Sequence, residues 1–214
     1  MARGRLITIE GLDGAGKSTL AHALLEAIAA LGHPVQLLRE PGGVDVSERI
    51  RALVKDPSLS ISARTEALLY AAARAQLVEE RLRPLLRDGL LVLLDRYVDS
   101  SLAYQGAGRA LGVDRVREIN RFATGSLDPD RTLLLRISPT EGRARQLERA
   151  ERPDRLESED AGFFGEIAAA YDELARTEPE RIRILDATQP PERVLADALA
   201  ELADLLASPA PARG

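Results

Sequence analysis

Leu6-Ile7-Thr8-Ile9-Glu10-Gly11-Leu12-Asp13-Gly14-Ala15-Gly16-Lys17-Ser18-Thr19-Leu20, followed by AHALLEAIAALG to Gly32, decides the fold class. LITIE is a short apolar and β-branched run, the pattern of a buried strand. Leu20, Leu24, Ile28 and Leu31 then recur at helical spacing, and Gly32 with Pro34 marks the stop. Between strand and helix, Gly11 to Ser18 matches G-x-x-x-x-G-K-[ST] in full. Glycines let such a loop wrap with its N–H groups inward, forming an anion nest. The following helix turns its positive end to the same anions. Lys17 can follow phosphate charge as it moves, and the Ser18 hydroxyl can ligate Mg²⁺. Gly11, Leu12, Asp13, Gly14, Ala15, Gly16, Lys17, Ser18 and Thr19 are therefore the expected nucleoside triphosphate site.

Outward from this loop, strands and helices alternate. Val35–Leu38, Leu90–Leu94, Thr132–Ile137 and Ile182–Leu185 read as four further strands. LLVLL is apolar throughout, as a parallel strand buried on both faces must be. Helical patterns fill 46–55, 63–88 (restarted near Pro84), 114–124, 140–149, 161–177 and 191–206. This alternation predicts an α/β protein of the P-loop NTPase class: a five-stranded parallel sheet with helices on both faces in three layers. The expected organisation is one domain over 1–207 and a disordered SPAPARG tail over 208–214. The segment 143–160 is dense in charge, poor in apolar residues and broken by Pro153. It reads either as a solvated loop or as a small mobile lid.

Composition narrows the chemistry. Of 214 residues, 45% are apolar, 3% aromatic and 29% charged, with a net charge of −5. An acidic chain with few rings is a poor partner for nucleic acid polymers. With no cysteine, disulfides, thiolate metal sites and thiol nucleophiles are excluded. The start lacks an apolar signal core, and no stretch reaches the length of a membrane span, so a cytoplasmic enzyme is expected. All but two of the 29 basic residues are arginine, and one of the two lysines, Lys17, stands in the glycine loop. That fits a site needing a slim point charge, not a planar fork. Asp95 ends the LLVLL strand, where an acid faces the ligand crevice and can hold the metal or its waters; capping of the next segment is the plainer alternative. Arg96, Arg74 and the lid arginines Arg149, Arg152 and Arg155 supply cations for a transferring phosphate. Neither His22 nor His33 belongs to any such cluster.

Several segments resemble the bacterial thymidylate kinase family of P-loop nucleoside monophosphate kinases. They are Ile9 to Thr19, Arg39-Glu40-Pro41-Gly42-Gly43, Asp95-Arg96-Tyr97 with Ser100, Ser101 and Ala103-Tyr104-Gln105-Gly106, Pro129-Asp130, Asp154-Arg155-Leu156-Glu157, and Asp186-Ala187-Thr188. The resemblance spans about 5–206 in consistent order. It implies transfer from ATP to dTMP, Mg²⁺ held by Ser18 and Asp95, and a homodimer. It implies that Asp13 contacts the sugar hydroxyl, Arg96 the acceptor phosphate and Arg74 the thymine edge. Tyr70 would stack on the ring, and Glu40, Pro41, Ser100, Ser101, Tyr104 and Gln105 would line the acceptor pocket. The glycine loop holds no arginine, so Arg149 or Arg155 would serve the transferring phosphate. Bland roles compete: Tyr70 as core, Ser100 and Ser101 as helix caps. Three departures stand out: Val44 after the glycines, Ala75-Gln76-Leu77, and Arg136 in LLLRIS, which needs a buried partner or an exposed strand end. The residues alone leave open a kinase for another monophosphate, a deoxynucleoside kinase, a nucleotide-binding switch protein and a nucleic-acid-dependent ATPase.

Overall fold

The computed structural model describes residues 3–148 and 155–207. Five strands, β1 (Leu6–Gly11), β2 (Val35–Arg39), β3 (Leu91–Asp95), β4 (Arg131–Arg136) and β5 (Ile182–Asp186), form one parallel sheet in the order β2-β3-β1-β4-β5. The period-2 geometry of a strand sorts its side chains between two cores. Ile7, Ile9, Leu91 and Leu93 join one cluster with Leu20, Leu24 and Ile28 of α1 (Lys17–Ala30). Leu6, Val92 and Leu94 join another with Leu77, Leu82 and Leu86 on the opposite face. The three-layer arrangement follows, because strands apolar on both sides need helices on both sides. The chain leaves β3 on one side of β1 and enters β4 on the other. The crevice at the carboxyl ends of β1 and β3 is therefore the switch point where such sheets bind ligands.

Nine further helices surround the sheet among the described residues. They are α2 (Asp45–Lys55), α3 (Ala63–Leu77), α4 (Arg83–Arg87), α5 (Val98–Ser101), α6 (Val113–Thr124), α7 (Pro139–Glu148), α8 (Ala161–Thr177), α9 (Pro191–Glu201) and α10 (Ala203–Leu206). Of these, α2, α3 and α5 bring side chains to that crevice. The helix expected over 63–88 is continuous but changes pitch. A π-helical turn at Val78–Leu82 joins α3 to α4, and Pro84 lies just past that wider turn. The helix expected over 191–206 is divided at Leu202.

A helical run at Val98–Gly108, α5 continuing into a π-helical segment, was not expected from its Ser-, Gly- and Tyr-rich sequence. Glu10 of β1 caps it, its Oε1 accepting the N–H groups of Tyr97 at 2.7 Å and Ser100 at 3.2 Å. The cap comes from a distant strand and is invisible to local reading. This corrects the capping alternative for Ser100 and Ser101, which sit inside the run. Arg136 stands at the exposed end of β4 and pairs with Asp172 at 2.8 Å, so it needs no buried partner.

Candidate active site

The glycine loop leaves β1 at Gly11 and enters α1 at Lys17. Gly14 and Gly16 take left-handed φ of 84° and 92°, and a Cβ on Gly14 would meet Gly142 O of α7 at 2.2 Å. Lys17 Nζ donates to Leu12 O at 2.8 Å and lies 3.8 Å from Asp13 Oδ1. Burial, reinforced by Arg96, pulls its ammonium down to about 8 against the opposing carboxylates. Pairing of β1 with β3 sets Ile9 opposite Asp95, and the Ser18 hydroxyl donates to Asp95 Oδ2 at 2.9 Å. These oxygen donors suit Mg²⁺, which keeps several waters and needs few protein ligands beside substrate phosphates. Among the described residues no group of three or more His, Asp or Glu could hold a metal by itself.

Beside this pair, Arg96 turns out of β3 with a left-handed φ of 70°. Its guanidinium donates to Asp13 Oδ1 at 2.5 Å, Ser100 Oγ at 3.0 Å, Tyr104 Oη at 3.2 Å and Gly11 O at 3.2 Å. Tyr104 donates to Asp13 Oδ2 at 2.9 Å. Burial alone would push the Asp13 carboxyl up, yet Arg96 and Lys17 hold it well below the usual range. Burial pushes the Tyr104 phenol well up, so it remains a proton donor. The phosphate loop thus meets a forked cation kept charged by its own carboxylate.

One cleft of about 240 Å³ connects these groups. Asp13, Gly14, Gly16, Lys17, Ser18, Asp95 and Arg96 are among its lining residues, and so are Arg39, Glu40, Pro41, Tyr70, Ser100, Ser101, Tyr104 and Gln105. Gly11, Leu12, Ala15 and Thr19 shape the loop without lining the cleft. Tyr70 is half-buried and also packs on the core, so the pocket and core readings both describe it. Arg74 is buried behind this wall. It donates to Glu40 Oε2 at 2.7 Å, Ser101 Oγ at 2.9 Å, Tyr97 O at 2.8 Å and Asn120 Oδ1. Its nitrogens are therefore committed to protein groups, and Arg74 does not line the cleft. Burial pushes the Glu40 carboxyl up to about 7 against the pull of Arg74. Glu40 Oε1 is buried without a hydrogen-bond partner among the described residues, so a ligand N–H or O–H there would relieve a desolvated acceptor.

The lid expectation divides. Arg149, Arg152 and Asp154 lie outside the described residues. Leu156 and Glu157 cover the cleft. Arg155 does not line it: its guanidinium donates to Val54 O at 3.0 Å and Glu66 Oε2 at 2.5 Å. The buried negative charge of Glu66 draws Arg155 away from the phosphate position expected of it. Sequence reading also missed Arg51 and Lys55, which line the cleft from α2. Their i,i+4 spacing was available as a signal, as was the fact that Lys55 is the chain's other lysine.

A crystal structure of thymidylate kinase from Ehrlichia chaffeensis superposes with a TM-score of 0.78 at 24% identity, covering 94% of this chain and 99% of that one, which bears on the fold. Thymidylate kinase of Oenococcus oeni is 48% identical over 204 residues, covering 93% of this chain and 95% of the relative. That of Deinococcus radiodurans is 45% identical over 204 residues, covering 95% and 98%. With the thymidylate kinase family model matching residues 9–198 as well, this chain belongs to the thymidylate kinase family.

Proposed function

We propose that this chain transfers the γ-phosphoryl group of ATP to dTMP, giving dTDP and ADP for dTTP synthesis, with the roles below for its residues. The observation that carries the reading is the junction of two half-sites in one cleft. The Lys17–Ser18–Asp95 group meets the Arg96–Asp13–Tyr104 group through Asp13, whose Oδ1 lies 3.8 Å from Lys17 Nζ and 2.5 Å from Arg96 Nη2.

The acceptor is a phosphate oxygen already largely ionised, so no general base is needed. Catalysis is positioning and neutralisation of charge. The loop amides and Lys17 hold the β- and γ-phosphates. Arg96, kept charged by Asp13, holds the acceptor phosphate in line. Asp13 also offers a carboxylate oxygen to the sugar hydroxyl. Ser18 and Asp95 would hold Mg²⁺, which supplies further neutralisation of the phosphates when bound. Tyr70 stacks on the base, and Glu40, Pro41, Ser100, Ser101, Tyr104 and Gln105 enclose it, with Arg74 behind this wall holding Glu40 and Ser101 in place. Arg149 answers charge on the transferring group as the 143–160 lid closes and excludes water.

The whole of 1–207 acts as one domain in a homodimer. An apolar groove between α3 and α6, lined by Ala67, Leu68, Val116 and Ile119, supports the dimer, as does the exposed Phe122 nearby on α6. A cytoplasmic setting suits the small-molecule substrates; among the described residues no helix is long and apolar enough to cross a membrane.

The test is ADP formation from Mg·ATP with dTMP, dUMP, UMP, CMP, AMP or GMP supplied separately. Strong preference for dTMP is expected. Preference for another monophosphate keeps the kinase and removes the thymidylate assignment. Slow ADP release indifferent to every acceptor points to a switch protein.

A further inference from the structure

Glu66 lies in the first turn of α3, fully buried, and does not line the cleft. Its Oε1 accepts Gln105 Nε2 at 2.9 Å. Its Oε2 accepts Arg155 Nη2 at 2.5 Å and Arg109 Nη2 at 3.2 Å. Arg109 also pairs with Glu159 at 2.6 Å. Two carboxylates and two guanidiniums balance one another, which offsets the full burial of Glu66. Its members come from separate places. Gln105 belongs to the acceptor wall, Arg109 follows the π-helical segment, and Arg155 and Glu159 flank the two residues that cover the cleft.

The chemistry of the partners fixes an orientation. An ionised carboxylate only accepts hydrogen bonds, so Gln105 must turn its NH₂ group to Glu66. The amide carbonyl is then directed away from Glu66, on a residue that lines the cleft. Without Glu66 the amide could turn over and offer the ligand the opposite polarity. Without Arg155, Glu66 would lose a closely held countercharge.

We propose that Glu66 is a positioning residue that ties docking of the 155–160 segment to the orientation of Gln105 in the acceptor pocket. The proposal rests on the acceptor-pocket reading given above. It assigns Arg155 to the acceptor side through Glu66, instead of to the transferring phosphate.

The test is a double-mutant cycle with Glu66→Gln and Arg155→Ala in the full chain, reading KM for dTMP, KM for ATP, kcat and melting temperature. Glu66→Gln keeps the side-chain volume and removes the charge. It is expected to raise KM for dTMP about tenfold with KM for ATP changed less than about twofold. Arg155→Ala is expected to do the same, and the double variant to be no worse than either single one. Glu66→Asp keeps the charge and recovers part of the loss. Multiplicative effects of the two changes would overturn the coupling. A fall in kcat for Arg155→Ala with KM for dTMP unchanged would put Arg155 on the phosphate. A lowered melting temperature for Glu66→Gln with both KM values unchanged would leave Glu66 a structural residue only. A wild-type chain that does not phosphorylate dTMP removes the underlying acceptor assignment, and that result is visible before any variant is made.

Discussion

Lys17 is held near pH 8 by burial and by Arg96, well under the ordinary lysine value. In the free enzyme it loses its proton as pH rises through that value. The kcat/KM for ATP should therefore fall above about pH 8, since this parameter reports free-enzyme groups. Bound phosphates restore the proton, so kcat should stay level to higher pH. A pH–rate series separates the two; a kcat/KM that is flat to pH 10 would contradict the environment assigned to Lys17. The same shift makes a stability statement. The folded pKa is depressed, so the unfavourable contribution is fully present below about pH 8 and is relieved between pH 8 and the unfolded value of 10.5. Lys17→Ala should abolish turnover, losing at least about 10³-fold in kcat, because an electrostatic group aimed at developing charge is removed. Near-normal rates would show that the loop assignment is wrong.

At the scale of elements, α7 packs directly over the phosphate loop through two glycines. A Cβ on Gly142 would come within 2.8 Å of Asp13 O, and one on Gly14 within 2.2 Å of Gly142 O. Those contacts are backbone and cannot swing aside. Gly142→Ala should push α7 off the loop and lower kcat/KM for ATP by about 10- to 100-fold, the scale of a misplacement near 1 Å. Its melting temperature should change little, because α7 buries few apolar groups. Unchanged kinetics would mean that α7 does not set the loop geometry. The buried Arg74 ties α3 to Glu40 after β2, to α5 and to α6. Arg74→Ala strands the Glu40 carboxylate, a change that costs about 3–5 kcal/mol in buried pairs. Calorimetry should show a melting temperature lower by roughly 10 °C, alongside poorer use of dTMP. A variant as stable as the wild type would place the whole effect of Arg74 on substrate.

For the whole molecule, the groove between α3 and α6 and the exposed Leu68 and Phe122 bear on assembly. Sedimentation at micromolar concentration should find a dimer. Glu in place of both Leu68 and Phe122 should weaken it by roughly a hundredfold or more, since each large apolar side chain contributes about 1.5–3 kcal/mol when buried. A double variant that sediments like the wild type would move the interface elsewhere.

Much of this molecule was determined by local sequence. The strand, glycine loop and helix around Lys17 follow from period, φ requirements and anion chemistry between Leu6 and Gly32, and LLVLL before Asp95 announces a buried strand with an acid at its end. The five strands and their parallel sheet follow from the alternation of patterns. What tertiary structure alone decided are the contacts between residues far apart in the chain. Glu10 caps a helix 87 residues away, Arg74 finds Asn120 across 46 residues, and Glu66 gathers Gln105, Arg109 and Arg155 from 39 to 89 residues away. None of these carries a local signal. A buried carboxylate and a surface one look alike in sequence. Only the packed chain, by removing water from Glu66 and Arg74, turns ordinary charged residues into fixed parts of a site.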